Sequence, residues 1–498
     1  MAPKRKSAID LSKIETISLN LPDVIGIKAY ISQDEEDIII EAVPTKYYPV
    51  TTLYPECPHC HSDQNVSVAE KNRREVHDVQ YWGARCTLQI DTRYFYCSKC
   101  QKKFVTPFES FGKHIGVTNR LAKKLCTKSV DLIPFSYLAE EYGLDEKTIR
   151  NVVTPFLKDQ ISHLKVELPT VLGMDEDHLH VLSGKKKDMC FVLTNPVTVE
   201  ILDILESRKK ETLEQYFSKF PLDKRLKVKA ITMDMWEPYR EVSYKFFPNA
   251  KIVADRFHVQ KNVNKAMNDI RKAVFKQIKE KAKNDPTLKN NLVQIAVDFS
   301  KFRVLLLRNY DNLSKEQSEI LFKWLGKFPE LLQTYTLKEI WRLKIYKSQS
   351  RSEAIAEYRT WVEKIPKDSL FDPYRELVVK SVDNWFSEVF NYFDFGGTLT
   401  NNPTESLNQV IKRNMRVGNG YSFEILRAKS ILGSQKRHQR RMEKQTAIFE
   451  KQRLREEKSL LQDSEINEED YLIDAIASEP DEIDEYINYE TKRKNSKI

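Results

Sequence analysis

Residues 228–240 read VKAITMDMWEPYR: a short apolar run, an aspartate, then an amphipathic segment. A run of this length with Val228, Ile231 and Thr232 in it suits a buried strand, and it ends at Asp234. The same device recurs on both sides. Upstream, residues 169–174 run into Asp175 within VLGMDED (171–177); downstream, residues 251–254 run into Asp255 within NAKIVADRFHVQKNVNKA (249–266). Residues 189–194 and 199–205 read as two further strands, and residues 209–220 and 236–247 as helices. The resulting order, β-β-β-α-β-α-β, predicts a mixed α/β sheet. In such sheets active residues gather at the carboxyl ends of strands, where these aspartates fall.

Toward the C-terminus strands vanish from residue 258 to about 393. Apolar and aromatic residues recur there at helical spacing, as in Leu321, Trp324, Leu325, Phe328, Leu331, Leu332 and Tyr335. Trp324, Trp341, Trp361 and Trp385 are expected in a hydrophobic core more than as base-stacking surfaces. After the loop at Gly396 and Gly397, a last helix is expected from Asn402 through Ile411, carrying Glu405. It leads into a basic region, 412–455, and an acidic segment from Ser459 onward that is expected to be flexible or partly helical.

Toward the N-terminus, Cys57-Pro-His-Cys60 and Cys97-Ser-Lys-Cys100 offer four soft thiolates from two tight turns, the donor set of one structural, tetrahedral Zn2+. The long spacer between the pairs predicts an excursion such as a hairpin, and strand-like alternation at 87–91 and 93–96 fits it. His59, His61 and His77 are expected at the surface, since four sulfurs complete the shell. Residues 136–153, SYLAEEYGLDEKTIRNVV, read as a helix stopped by Gly143 and a second helix capped by Asp145. This is either an ordinary helical hairpin or a helix-turn-helix. The second reading would present Lys147, Thr148, Arg150 and Asn151 to a major groove.

Composition bounds the partners. The chain of 498 residues exceeds one ordinary domain, its hydrophobic fraction is 41%, and it contains no apolar run of membrane-spanning length and no signal-peptide core at its start. A cytoplasmic location without a membrane partner is expected. The net charge is +9, but residues 459–490 contain twelve Asp or Glu and no Lys or Arg, so the remainder carries +21. Such a surplus favours a polyanion such as nucleic acid, although ribosomal and membrane-surface proteins share it.

Three carboxylates from separate elements, Asp175, Asp234 and Glu405, suit hard divalent cations in a two-metal phosphoryl-transfer site. Each has a structural explanation too. Asp175 would be a solvated strand end, Asp234 a helix cap, and Glu405 the third residue of a capping-box-like start with Asn402 as N-cap and Pro403 behind it. The order of elements is that of a ribonuclease-H-like nuclease core.

VLGMDED (171–177), VKAITMDMWEPYR (228–240), NAKIVADRFHVQKNVNKA (249–266) and LTNNPTESLNQVIKRNMRVGNGYSF (399–423) resemble the blocks of the DDE transposases of the ISL-three insertion-sequence family. The cysteine pairs and the helix-turn-helix fit the same family, so the resemblance covers residues 50–435. It implies a bacterial, nucleoid-associated enzyme acting on double-stranded DNA. Such an enzyme binds terminal inverted repeats and joins its element to target DNA with Mg2+ or Mn2+, two ions per site, as a homodimer or larger assembly. Retention of the fold as a DNA-binding regulator, or a nuclease without strand transfer, remains the alternative. The triad falls on Asp175, Asp234 and Glu405; Asp255 and His258 match the block after the second acid, as site supports, DNA contacts or structural partners. Asp177 is a weaker candidate for the first acid, and Asn195 stands where many relatives have aspartate. Lys412 and Arg413 join the helix-turn-helix residues as expected phosphate contacts.

The implied layout is an N-terminal segment (1–50), a zinc-binding domain (51–108), a helix-turn-helix domain (109–160), a first core part (165–257), an all-helical insertion (258–395), a final core helix (396–435) and a basic-then-acidic end (436–498).

Overall fold

The computed structural model describes residues 17–463, except 33, 46–54, 106–107, 113–115, 180–188 and 419. The extreme N-terminus and the acidic segment beyond 463 lie outside the described residues. Residues 1–438 form one compact unit and Gln439–Ile498 a second.

The first sheet contains β1 (Val24–Ile31), β2 (Asp37–Pro44), β3 (Val66–Tyr81), β4 (Ala84–Cys97) and β5 (Lys102–Val105). Its order is β1-β2-β4-β3, with β5 also on β4. The two short strands expected between the cysteine pairs are one continuous strand, β4, whose inward residues Cys86, Leu88, Ile90 and Thr92 are all buried. The excursion is indeed a hairpin, β3 against β4, antiparallel from Val66↔Cys97 to Tyr81↔Ala84. His77 is half-buried within it, contrary to the surface position expected, and its Nδ1 lies 3.3 Å from Thr87 Oγ1.

Three helices follow: α1 (Asn119–Ser129), α2 (Phe135–Tyr142) and α3 (Glu146–Ser162). Gly143 ends α2 in the left-handed region at φ 65°, and Asp145 caps α3 by accepting from Thr148 N, as the sequence indicates. Leu121, Leu125, Leu138, Ile149, Val153 and Leu157 close their shared core. Asp78 on β3, itself buried, anchors α1 by accepting from Thr118 Oγ1 at 2.6 Å and Arg120 Nε at 2.8 Å.

The second sheet contains β6 (Val171–His178), β7 (Met189–Asn195), β8 (Glu200–Leu205), β9 (Ala230–Met233) and β10 (Lys251–Ala254), in the order β10-β9-β6-β7-β8. The pairs β6-β7 and β7-β8 are antiparallel, whereas β6-β9 and β9-β10 are parallel. Helices α4 (Lys210–Phe217), α5 (Leu222–Arg225) and α6 (Glu237–Phe246) belong to the connections. Because side chains alternate across a strand, Leu172, Met174, Phe191 and Leu193 face α4 and α6, joining Leu213, Phe217, Tyr239 and Val242.

From α7 (Arg256–Lys281) the chain is helical: α8 (Pro286–Leu307), α9 (Lys315–Leu325), α10 (Pro329–Ile340), α11 (Arg351–Glu363) and the short α12 (Asp372–Tyr374), α13 (Lys380–Asn384) and α14 (Phe386–Phe390). The four tryptophans singled out above are buried here, between 0% and 6% exposed, so their role is packing; Trp341 and Trp361 meet edge-on at 5.0 Å.

The chain then returns to the sheet through α15 (Asn402–Val417) and α16 (Phe423–Asp463). Leu407, Ile411, Leu426 and Ile431 cover the second face, against Cys190, Val192, Ile201 and Ile204. Burying each such aliphatic side chain contributes about 1.5–3 kcal/mol. Arg427 Nε donates to the buried Asp203 on β8 at 2.8 Å, which also accepts from Tyr216 Oη at 2.9 Å. The described part of the second unit, residues 439–463, is the later length of α16 and exposes Met442, Ile448, Phe449 and Leu454. No helix among the described residues is long and apolar enough to cross a membrane.

Candidate active site and metal-binding clusters

Strand register assembles the acids. Gly173↔Thr232 and Met174↔Met233 are paired between β6 and β9, and Ala254↔Met233 between β10 and β9. The next residue on each strand is Asp175, Asp234 and Asp255, so the three aspartates stand side by side at one level. Period-2 alternation turns Asp175 and Asp234 toward the α15 face with Gly173 and Thr232, while Glu176 turns toward α6.

The structural explanations for two acids fail. Asp175 is not a solvated strand end: β6 continues to His178, and Asp175 is only 6% exposed. Asp234 does not cap α6; the N-cap is Trp236, with Asp234 two residues ahead. The expected capping box at Glu405 is also absent. Asn401, one residue earlier than expected, is the N-cap and makes no side-chain cap bond, because its Oδ1 instead accepts from buried Thr232 Oγ1 at 3.0 Å. Glu405 therefore lies one position deeper in the helix, where its N–H bonds to Asn401 O at 3.1 Å and its carboxylate is free of capping.

A polar bed that the sequence reading missed positions α15. Asn401, Thr404 and Asn408 follow one helix face, and all three are buried. Thr404 Oγ1 meets Thr194 Oγ1 at 2.8 Å, and Asn408 Nδ2 donates to Asp175 Oδ2 at 2.9 Å. Beneath them lies Gly173, where a Cβ would come within 2.3 Å of both threonine hydroxyls. The polar spacing i, i+3, i+7 was the available signal.

The electrostatics are those of crowded acids. Burial first, then Asp234, pushes the Asp175 carboxyl up to about 8. Burial also raises Glu405, with the charges of Asp255 and Asp234 adding to it. Glu176 is raised by burial and Asp234 although it pairs with Arg208, and its Oε2 is buried without a hydrogen bond. His258 Nδ1 donates to Asp234 Oδ1 at 3.1 Å and Asp255 Oδ2 at 3.3 Å, and these two bonds push it up to about 10, so it stands as an imidazolium. Asp255 also caps α7 by accepting from Phe257 N.

Oxygens of Asp175, Glu176 and Asp234 come within 4.8 Å of one another, as do ligand atoms of Asp234, Asp255 and His258. Such a surplus of converging carboxylate oxygens fits hard divalent cations. Asp177 is drawn away from the cluster by Lys412, whose Nζ lies 3.0 Å from its Oδ1. Asn195 is likewise occupied, its Oδ1 accepting from Val197 N and Thr198 N in a turn.

The four cysteines form a second cluster, all ligand sulfurs within 4.8 Å, with Cys57–Cys100 at 3.6 Å and Cys60–Cys97 at 3.5 Å. A tetrahedral ion with sulfur bonds of about 2.3 Å has edges of about 3.8 Å, so the donor set fits zinc. Both turns share one geometry: the residue after each second cysteine, His61 or Gln101, is left-handed, at φ 56° and 58°. The Cys100 backbone N–H holds Cys97 down at about 7, whereas burial pushes Cys100 up to about 12, so the zinc assignment rests on the sulfur geometry and not on the thiol acidities.

Of the expected DNA contacts, Lys147, Asn151 and Arg413 are exposed. Thr148 Oγ1 donates to Asp145 at 2.7 Å, and Arg150 pairs with Glu146 while lying over the Phe135 ring.

A carboxylate cluster beneath a helix-borne third acid marks a class, and relatives give the family. A family model described as transposase, the DDE type of the ISL-three elements, matches residues 172–430, which include all three acids and His258. The transposase for insertion sequence element IS1001 of Bordetella parapertussis is 26% identical over 305 residues, covering 61% of this chain and 71% of that protein. The chain belongs to the ISL-three family of DDE transposases.

Proposed function

We propose that this chain binds the terminal inverted repeats of an insertion sequence and catalyses divalent-metal-dependent DNA strand cleavage and strand transfer. The observation that carries the reading is the meeting of Asp175 and Asp234 on adjacent parallel strands beneath the helix of Glu405. Strand order supports a ribonuclease-H-like core made of 165–257 and 396–435, interrupted by the all-helical insertion 258–395. The cysteine cluster supports a structural zinc in 51–108, and the Gly143–Asp145 turn supports a helix-turn-helix DNA-binding domain in 109–160.

In this reading Asp175, Asp234 and Glu405 would hold two Mg2+ or Mn2+ ions. When bound, the ions supply Lewis acidity to the phosphoryl oxygens and ease deprotonation of the attacking hydroxyl. The residues of the chain hold the geometry. Asn408 fixes the Asp175 carboxylate, and His258, itself oriented by Asp255, fixes Asp234. In the first step a water oxygen bonds to phosphorus, the bond to the 3′ oxygen breaks, and a 3′-hydroxyl is left. In the second that hydroxyl bonds to a target phosphorus, releasing a target 3′-hydroxyl.

Lys147 and Asn151 on α3 and Arg413 on α15 contact DNA, while Thr148, Arg150 and Lys412 brace the elements beside them. Two ends processed together call for a dimer or larger assembly on DNA. Terminal-repeat DNA with Mg2+ should yield nicked and joined products with the native chain and none with Asp234→Ala. Equal product from both would refute the assignment.

A further inference from the structure

Helix α7 starts at the acid cluster, and its outward face is a ladder of lysines. Lys261, Lys265, Lys272, Lys276 and Lys279 are all exposed. At 3.6 residues per turn they fall within an arc of about 60° and extend over about 27 Å. The helix contains eight Lys or Arg against two acids, Asp269 and Glu280. Exposed lysines alone commonly do no more than solvate a helix.

The neighbouring pocket argues for more. Between α7 and α8 an open cavity of about 400 Å3 is lined by Arg271, Lys272, Ser300 and Arg303 among others. The Arg271 guanidinium is half-buried and held in place, donating to Asn268 Oδ1 at 3.1 and 3.0 Å and to Phe299 O at 2.9 Å. Both acceptors are neutral. Among the described residues neither Arg271 nor Arg303 has an acidic partner within 4.0 Å, although Lys272 pairs with Asp269 at 3.2 Å. Burial and Arg303 together hold Arg271 below its ordinary value, a repulsion that a bound anion would relieve. The Arg271 bonds to Asn268 and Phe299 take the Nε–Nη2 edge and leave one proton each on Nη1 and Nη2 of a fixed guanidinium, the planar cation best matched to phosphate. Its continuity with a ladder of cations one or two helical turns apart calls for an anion repeated along a line.

We propose that α7, with the Arg271–Arg303 pocket, is a track for the phosphodiester backbone of duplex DNA beyond the bond being cut. Arg271 lies thirteen residues past His258, about 20 Å along the helix, which corresponds to roughly six base pairs from the acid cluster. This rests on the nuclease reading of that cluster and adds the path of the flanking duplex.

The test reads binding without cleavage. The full chain with Asp234→Ala is titrated with a duplex of about 40 base pairs across roughly 50–200 mM salt, with fluorescence anisotropy as the readout. The same chain with Lys265→Gln, Lys272→Gln and Lys276→Gln should show a log K against log salt slope shallower by about 2–3. Arg303→Gln alone should remove about 1. These are solvent-facing positions, and unchanged melting temperatures verify folding. Unchanged slopes in both variants would overturn the track, even where the native chain cuts DNA. Failure of the native chain to cut would instead overturn the nuclease reading and leave the slopes interpretable.

Discussion

Asn408 Nδ2 donates to Asp175 Oδ2 at 2.9 Å, joining a helix to a strand that precedes it by 233 residues. The bond sets both the orientation of the first acid and the seating of the helix that carries the third. Asn408→Ala should cost about 1–3 kcal/mol, because it leaves the buried Asp175 carboxyl oxygen without its partner. It should lower the strand-cleavage rate by about 10–100-fold, the usual cost of losing a partner that orients a metal ligand. DNA affinity measured by anisotropy should stay unchanged; a rate equal to the native one would exclude the orienting role.

Gly173 is required by space. A methyl group there would sit within 2.3 Å of Thr194 Oγ1 and Thr404 Oγ1, both on short, buried side chains. Gly173→Ala should destabilise the chain by about 1–3 kcal/mol or more through overpacking. Urea titration gives the loss, and Gly173→Ala combined with Thr404→Ala should recover part of it. No loss in the single variant would show that the helix shifts freely.

Asp175 gives a stability that depends on pH. Its carboxyl is raised from 3.8 in the unfolded chain to about 8 in the fold. The folded state therefore binds the extra proton between those values, and its stabilisation is full below about pH 4 and lost as pH rises through about 8. Without added divalent cation, Asp175→Asn should melt higher than the native chain at pH 8 and alike at pH 4. Mg2+ should raise the native melting temperature at pH 8 and leave the variant unmoved. A native curve flat from pH 4 to 8 would contradict the crowding of charge described above.

The cysteine cluster should carry about one zinc per chain, measurable by elemental analysis. Cys97→Ser should abolish it and loosen the β3-β4 hairpin, whose base pairs Val66 with Cys97. A folded native chain without zinc would remove the assignment.

Order and punctuation were legible in the sequence. The strands ending near Asp234 and Asp255, the stop at Gly143 and the cap at Asp145 each depend on neighbours a few residues away. What escaped was long-range. Lys412 looks like a phosphate contact by charge and type, yet Asp177, far upstream on β6, already engages it. Asn401 looks like part of a loop because its partner, Thr232, lies on a strand far upstream. The role of Gly173 becomes visible only when Thr404 arrives above it. A linear reading of residue types carries no record of such partners.

The pairing of Asp175 with Asn408 also fixes when the enzyme can first act. A ribosome adding about 5–20 residues per second needs roughly 10–50 s to pass from one to the other. Through that interval the sheet has its aspartates but no helix to close over them. The nascent chain cannot cleave DNA until Asn408 and the helix around it have been made, and a product terminated before them lacks the same step.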